Sequence, residues 1–159
     1  MAEGRYLHFA AGRRRLALPM VEVREVAEIR SLVPVPGAPK VVGGLAEIRG
    51  RIVTILDPSA DDPASDLPAG APPSSLFVAI FSEPLDHLGV LVYGLPETAR
   101  ATEGPPHADA PGNARTESWL LPGGDIHLTG GHRAALLDPR RLAEHASECV
   151  RKQFLVGPE

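Results

Sequence analysis

The amino-acid sequence predicts a mainly β protein, made of short strands arranged as barrels or a sandwich, with one C-terminal helix. Three observations predict it. Runs rich in β-branched and aromatic residues recur at residues 52–56, 76–81 and 88–93, and such residues suit a pleated, half-buried surface. Pro, Gly, Asp and Ser bound these runs closely, which is the rhythm of an all-β domain. A clear helical period emerges only after Asp138.

At the N-terminal end, Tyr6-Leu7-His8-Phe9 reads as a short strand, Ala11-Gly12-Arg13 as a turn and Arg15-Leu16-Ala17-Leu18 as its return. Across residues 21–26 neither the strand nor the helix period fits. Val33-Pro34-Val35-Pro36 begins a stiff proline segment leading into an apolar strand. Arg49-Gly50 then reverses the chain into a second apolar strand that ends on Asp57. Residues 58–75 are Pro, Ala, Asp and Ser with almost no apolar content, so a mobile surface loop is expected. Residues 104–118 have the same character. Strand clusters on either side of 58–75 suggest two similar halves within one domain covering residues 1–159.

The helix has a start signal and a stripe. Asp138 suits the N-cap, where its carboxylate accepts free first-turn amides, and Pro139 suits the first helical position. Leu142, Ala146, Cys149, Val150 and Phe154 recur on one face, and Gly157-Pro158 ends the pattern. Two readings are open: a helix packed on the barrel, or one offered to a partner.

Composition sets the outer bounds. At 159 residues, 43% of them hydrophobic, the chain can bury a core as one compact domain or two small barrels sharing one. A net charge of -4 argues against a nucleic-acid role, which needs a basic face. No apolar run is long enough to span a bilayer, so no direct membrane insertion is expected. The first residues lack the apolar centre of a secretory signal. The one cysteine, Cys149, leaves no internal disulfide and fits a reducing cytoplasm.

Catalysis finds little support. There is no Gly-x-Ser-x-Gly elbow and no glycine-rich loop followed by Lys-Ser or Lys-Thr. Cys149 lies on the apolar stripe of the helix, where a thiol is usually inert. Asp61-Asp62 sits in the Pro/Ala-rich stretch, and a solvated surface explains it better than a metal site. His127 and His132 have a spacing that zinc sites use, but no acidic or thiol partner stands at ligand spacing. Turn or surface histidines are the better reading, so no metal and no cofactor are expected. The pairs Gly43-Gly44, Gly123-Gly124 and Gly130-Gly131 read as tight turns or close backbone approach.

Arg49 stands apart. It follows an apolar strand and precedes a turn glycine, so its guanidinium sits at a strand end. There it can pair bidentately with a carboxylate, either internal or from a partner, and Glu25 is a candidate internal mate.

Together these segments resemble the CheW family, the adaptors that couple chemotaxis receptors to the histidine kinase CheA. The hairpin formed by Tyr6-Leu7-His8-Phe9 and its return resembles the first hairpin of that family. Val23-Arg24-Glu25-Val26 resembles its Val-x-Glu-Ile element, and residues 36–44 its proline-led approach to Lys-Gly, with Gly43 in place of lysine. Glu47-Ile48-Arg49-Gly50 is similar to its Asn-Leu-Arg-Gly motif. Gly89-Val90-Leu91-Val92-Tyr93-Gly94-Leu95 resembles its Gly-hydrophobic-Val-Asp-x-Val strand, with Tyr93 where aspartate is usual. Residues 134–142 resemble the final strand and the start of the last helix.

The resemblance implies two small SH3-like five-stranded β-barrels around a shared core, with a C-terminal helix, split near residues 58–75. It implies no catalysis. It implies three kinds of partner: the regulatory domain of a CheA-type histidine kinase, the helical tip of a methyl-accepting chemoreceptor, and other CheW-like domains. Val23, Glu25, Gly44 and Arg49 match positions associated with the receptor groove, and Met20 matches an apolar groove position. The location implied is cytoplasmic, recruited to receptor arrays. A divergent CheW-like module serving other partners in non-flagellar motility or regulation is the alternative. A small metal-dependent β-barrel enzyme is a remote one.

Overall fold

The computed structural model describes residues 4–11, 14–59, 76–102 and 120–155. Nine strands and one long helix follow in order: β1 (Arg5–Ala11), β2 (Arg14–Pro19), β3 (Val23–Ile29), β4 (Val42–Ile48), β5 (Arg51–Leu56), β6 (Leu76–Phe81), β7 (Leu88–Arg100), β8 (Leu120–His127), β9 (Arg133–Leu137) and α1 (Pro139–Leu155). A short 3-10 helix, Met20–Glu22, joins β2 to β3. That helix, followed by a bulge between Val23 and Glu25, is why residues 21–26 matched neither period.

The strands form two five-stranded barrels that share β7. Its first half pairs with β6 and, in parallel, with β5. With β3 on β6 and β4 on β5, these strands make barrel one. The second half of β7 pairs with β1, and β2, β9 and β8 follow in turn to make barrel two. The strand therefore extends to Arg100, well past the stretch expected at residues 88–93. It changes barrel at Gly94, whose φ of +72° suits a residue without a Cβ. There the register with β1 jumps from Ala10↔Tyr93 to His8↔Glu97, so residues 94–96 bulge outward.

Among the described residues, one isolated bridge closes each barrel. In barrel one, Val33 pairs with Leu45 by two backbone hydrogen bonds of 2.9 and 2.8 Å. In barrel two, Ala101 bridges Leu128, supported by Thr102 N–H to His127 O at 2.8 Å and Thr129 N–H to Arg100 O at 2.8 Å. Closure removes the open edges on which strands of other chains could add.

Strand alternation divides the apolar side chains among three cores. Ile29, Ala46, Ile48, Val53, Ile55, Val78, Ile80 and Leu91 fill barrel one. Ala17, Leu128 and Ala134 form a smaller cluster in barrel two. The opposite faces of the same strands, with Phe9, Leu16, Leu18, Leu56, Phe81, Val90 and Val92, meet in a third core between the barrels. Leu142 and Ala146 of α1 complete it, so the helix packs on the barrels. Strands buried on both sides explain continuous apolar runs such as residues 76–81.

The helix begins as its cap predicts. Asp138 Oδ1 accepts Arg140 N–H at 3.0 Å and Arg141 N–H at 3.5 Å. Cys149 packs partly against the shared core, with Sγ 3.7 Å from His145 Nε2. Gly157-Pro158 lies outside the described residues.

Two expectations need correction. Gly123-Gly124 is not a reversal: both glycines lie within β8, beside a register irregularity between Leu120 and Asp125. Gly130-Gly131, by contrast, forms the β8–β9 turn with φ values of +92° and +84°. The loop expected from residue 58 starts in a fixed way, because Pro58 and Ser59 are buried. Ser59 donates from both N–H (3.0 Å) and Oγ (2.7 Å) to Asp57 Oδ1. The remainder of that stretch and residues 104–118 lie outside the described residues.

Candidate partner-binding site

Arg49 and Gly50 form the two-residue turn between β4 and β5, with φ values of +52° and +79°. Positive φ at both central positions is the hairpin geometry that matches strand twist. Arg49 is the one non-glycine among the described residues with positive φ. Its side chain is 83% exposed, and its Nε lies 3.4 Å from Glu25 Oε2 on β3. Sequence reasoning named this pair, and the structure brings it together across two strands.

Beneath the pair is a pocket of about 250 Å³ at the mouth of barrel one. Ile48, Val53 and Ile80, which belong to the barrel core, form its floor. Arg24, Glu25, Arg49, Arg51 and Asp86 form its rim. Asp86 lies in the β6–β7 connection, and its Oδ2 accepts Arg24 Nη1 at 3.0 Å and Arg51 Nη2 at 3.1 Å. The Arg51 hydrogen bond holds the Asp86 carboxyl below the usual carboxylate range, against the opposing effect of desolvation. Three guanidiniums thus face two carboxylates over an apolar floor. The rim carries one positive charge in excess, on a chain of net charge -4.

Arg24, Arg51 and Asp86 were not singled out from sequence. Arg51 adjoins the Arg-Gly turn, a signal that could have drawn attention to it. Asp86 had none, since it reaches its partners only after barrel one has closed.

The other candidate residues lie apart from this rim. Met20 and Val23 are half-buried against the shared core at the start of β3. Gly44 is near the opposite end of β4 from Arg49, five residues away, or roughly 17 Å along a strand. Its φ is +149°, and an added Cβ would lie 2.5 Å from Val33 O and 2.9 Å from Leu32 Cγ. A residue without a side chain is therefore required where the Val33 segment crosses β4. Gly44 shapes the barrel closure. Glu25 and Arg49 form one cluster, Met20 and Val23 another, and Gly44 sits between β4 and the bridging segment.

Tyr93, which stands where the resembled family has aspartate, is tied into barrel one. Its phenol donates to Asp57 Oδ2 at 2.8 Å, completing the acceptor set that Ser59 begins on Oδ1. Burial, aided by the Asp57 carboxylate, pushes the phenol above its ordinary value, so it stays a donor.

A larger cleft of about 1050 Å³ runs between α1 and the β5 side of barrel one. Its lining includes Leu56, Leu85, Leu88, Arg140, Glu144 and Arg151, and none of the five candidate residues. Among the described residues no group of three or more His, Cys, Asp or Glu has metal-site geometry. His127 and His132 remain members of the β8–β9 hairpin.

Among curated protein sequences, none matches this chain. Its fold is similar to that of the scaffolding protein TtCheW from Thermoanaerobacter tengcongensis, seen in a crystal structure. The two superpose with a TM-score of 0.64 at 16% sequence identity, over 86% of this chain and 89% of that one. The family model for the CheW-like domain matches residues 5–147. That span runs from the first strand of barrel two, through all of barrel one, into the helix that completes the shared core, and the chain accordingly belongs to the CheW family.

Proposed function

We propose that this protein is a non-catalytic adaptor that couples chemoreceptors to a CheA-type histidine kinase within a chemosensory complex in the cytoplasm. The observation that carries the reading is the Arg49–Glu25 pair at the mouth of barrel one. An arginine that is 83% exposed, in a left-handed turn, gives the fold little that lysine or asparagine could not. A carboxylate on one side and an apolar floor below give it a fixed direction. This suits a partner surface that offers both an acid and an aliphatic side chain, as an amphipathic helical hairpin does. Family membership and the likeness to a scaffolding protein support the same role.

In this reading Glu25 and Arg49 contact the receptor tip directly. Met20 and Val23 supply an apolar shoulder, and Gly44 keeps the closure of barrel one that presents them. The regulatory domain of the kinase and other CheW-like domains dock elsewhere on the barrels.

Arg49→Glu places two acids face to face at the rim without disturbing a buried residue. The variant keeps its melting temperature and loses co-purification with receptor and kinase. Unchanged pull-down by a folded Arg49→Glu protein would reject the assignment of this site. A wild-type protein that folds as described but captures neither partner would favour the divergent module with other partners.

A further inference from the structure

We infer that His8, Glu97 and His132 form an acid-sensitive latch on barrel two, which opens when His8 takes up a proton. The three residues come from three elements. His8 lies on β1, directly opposite Glu97 of β7, and His132 lies between the β8–β9 turn and β9. Glu97 Oε2 is 3.7 Å from His8 Nε2 and 3.8 Å from His132 Nε2. The imidazole centroids are 5.2 Å apart, tilted by 42°. One carboxylate thus stands between two imidazoles where barrel two is sewn together.

His8 is the unusual member. It is only 1% exposed, and its Nδ1 has no hydrogen-bond partner in the structure. A neutral imidazole carries one proton. On Nδ1 that proton would be a stranded buried donor, and the Nε2 lone pair would face a carboxylate. The proton therefore sits on Nε2, directed at Glu97. A second proton must then go to Nδ1, where no acceptor waits, and it creates a positive charge inside the barrel.

The groups around His8 add to this. Burial is the largest influence against the charged imidazole, followed by Arg15 on β2 and, more weakly, His132. Glu97 on β7 opposes them, and its side chain is 55% exposed, which weakens its pull. The balance holds His8 below the ordinary histidine value near 6.5. The sign follows from linkage. Between the ordinary value and the lowered one, opened chains bind a proton at His8 and closed chains do not. Falling pH therefore favours opening, and the closed form keeps its full advantage above about pH 6.5. Among the described residues the buried polar side chains are His8 and Ser59, and of the two only His8 takes up a proton in this range.

Amide hydrogen exchange of the full chain at pH 7.5 and 5.5, corrected for intrinsic rates, tests the latch. Protection in β1, β2 and β9 should fall severalfold at the lower pH, beneath the ceiling of about tenfold that one proton allows one pH unit below the ordinary value, while β4 and β5 keep theirs. His8→Leu should abolish the difference. Glu97→Gln, which removes the one group favouring the charged imidazole, should enlarge it. A proton NMR titration of wild-type His8 should give a midpoint below the ordinary value, and this stands even if His8→Leu fails to fold. Equal loss of protection in both barrels would overturn the latch. So would an acid response that survives in His8→Leu, or a His8 midpoint at or above the ordinary value.

Discussion

Three residues show how much chemistry a single position can carry in this chain, and for different reasons. Gly44 is required by space: the backbone of the bridging segment leaves no room for a methyl group. Gly44→Ala should therefore destabilise the protein by about 1–3 kcal/mol, the cost of a side chain held in sparsely populated backbone geometry, with the Val33 contact added. Urea denaturation would measure it, and a stability equal to wild type would contradict the close approach. Tyr93 is required by hydrogen bonding. Tyr93→Phe leaves Asp57 Oδ2 half-buried without its phenol, so a loss of about 1–3 kcal/mol is expected in the same experiment. Arg49 is the one that folding does not explain, and its replacement should alter binding rather than stability.

These residues also mark how far sequence reasoning reaches. The Arg49 turn and its Glu25 mate were legible because a positively charged strand end demands a carboxylate and the Val-x-Glu element offers one. The Asp86 clamp was not legible. It joins Arg24 and Arg51 across separations of 62 and 35 residues, and no local pattern encodes where the β6–β7 connection lands. The His8 latch was hidden for the same reason. A histidine in an alternating strand looks like a surface residue until the strand that covers it is known.

At the scale of elements, α1 follows most directly from its sequence. Cap and first-position proline agree with the structure, and of the stripe Leu142, Ala146 and Cys149 pack on the shared core, while the Phe154 side chain lies outside the description. Asp138→Ala should cost about 1 kcal/mol through loss of first-turn amide acceptors, readable as a lower urea midpoint with an unchanged slope. β7 was only half legible. Its apolar first half lies between two cores, whereas its polar second half, beyond Gly94, runs along the surface of barrel two and lacks a hydrophobic pattern. β8 escaped because Pro122, Gly123 and Gly124 carry every mark of a turn, yet they lie in the irregular stretch between Leu120 and Asp125, both of which pair with β9. Tertiary pairing overrode local propensity there.

At the scale of the molecule, the shared core decides how the barrels behave. Leu56, Phe81 and Val90 come from barrel one, Phe9, Leu16 and Leu18 from barrel two, and Leu142 from the helix. Neither barrel buries its outer apolar face alone. Phe81→Ala should therefore cost about 3–5 kcal/mol and weaken both barrels together, in one urea transition at pH 7.5 seen equally by the amide NMR signals of β4–β5 and of β1–β2. Two separate transitions would mean that the barrels are independent. The shared core also fixes the mouth of barrel one relative to the rest, and a rigid mount is what an adaptor needs if it is to bind two partners at once.

The central claim is that this mount joins a receptor to a kinase, and co-sedimentation tests it most directly. Membranes bearing chemoreceptor would be spun down with a CheA-type kinase, with and without this protein. The account predicts that the kinase enters the pellet only when the wild-type protein is present, and that Arg49→Glu leaves it in the supernatant. Kinase that remains in the supernatant with the wild-type protein, or pellets equally well with Arg49→Glu, would contradict it.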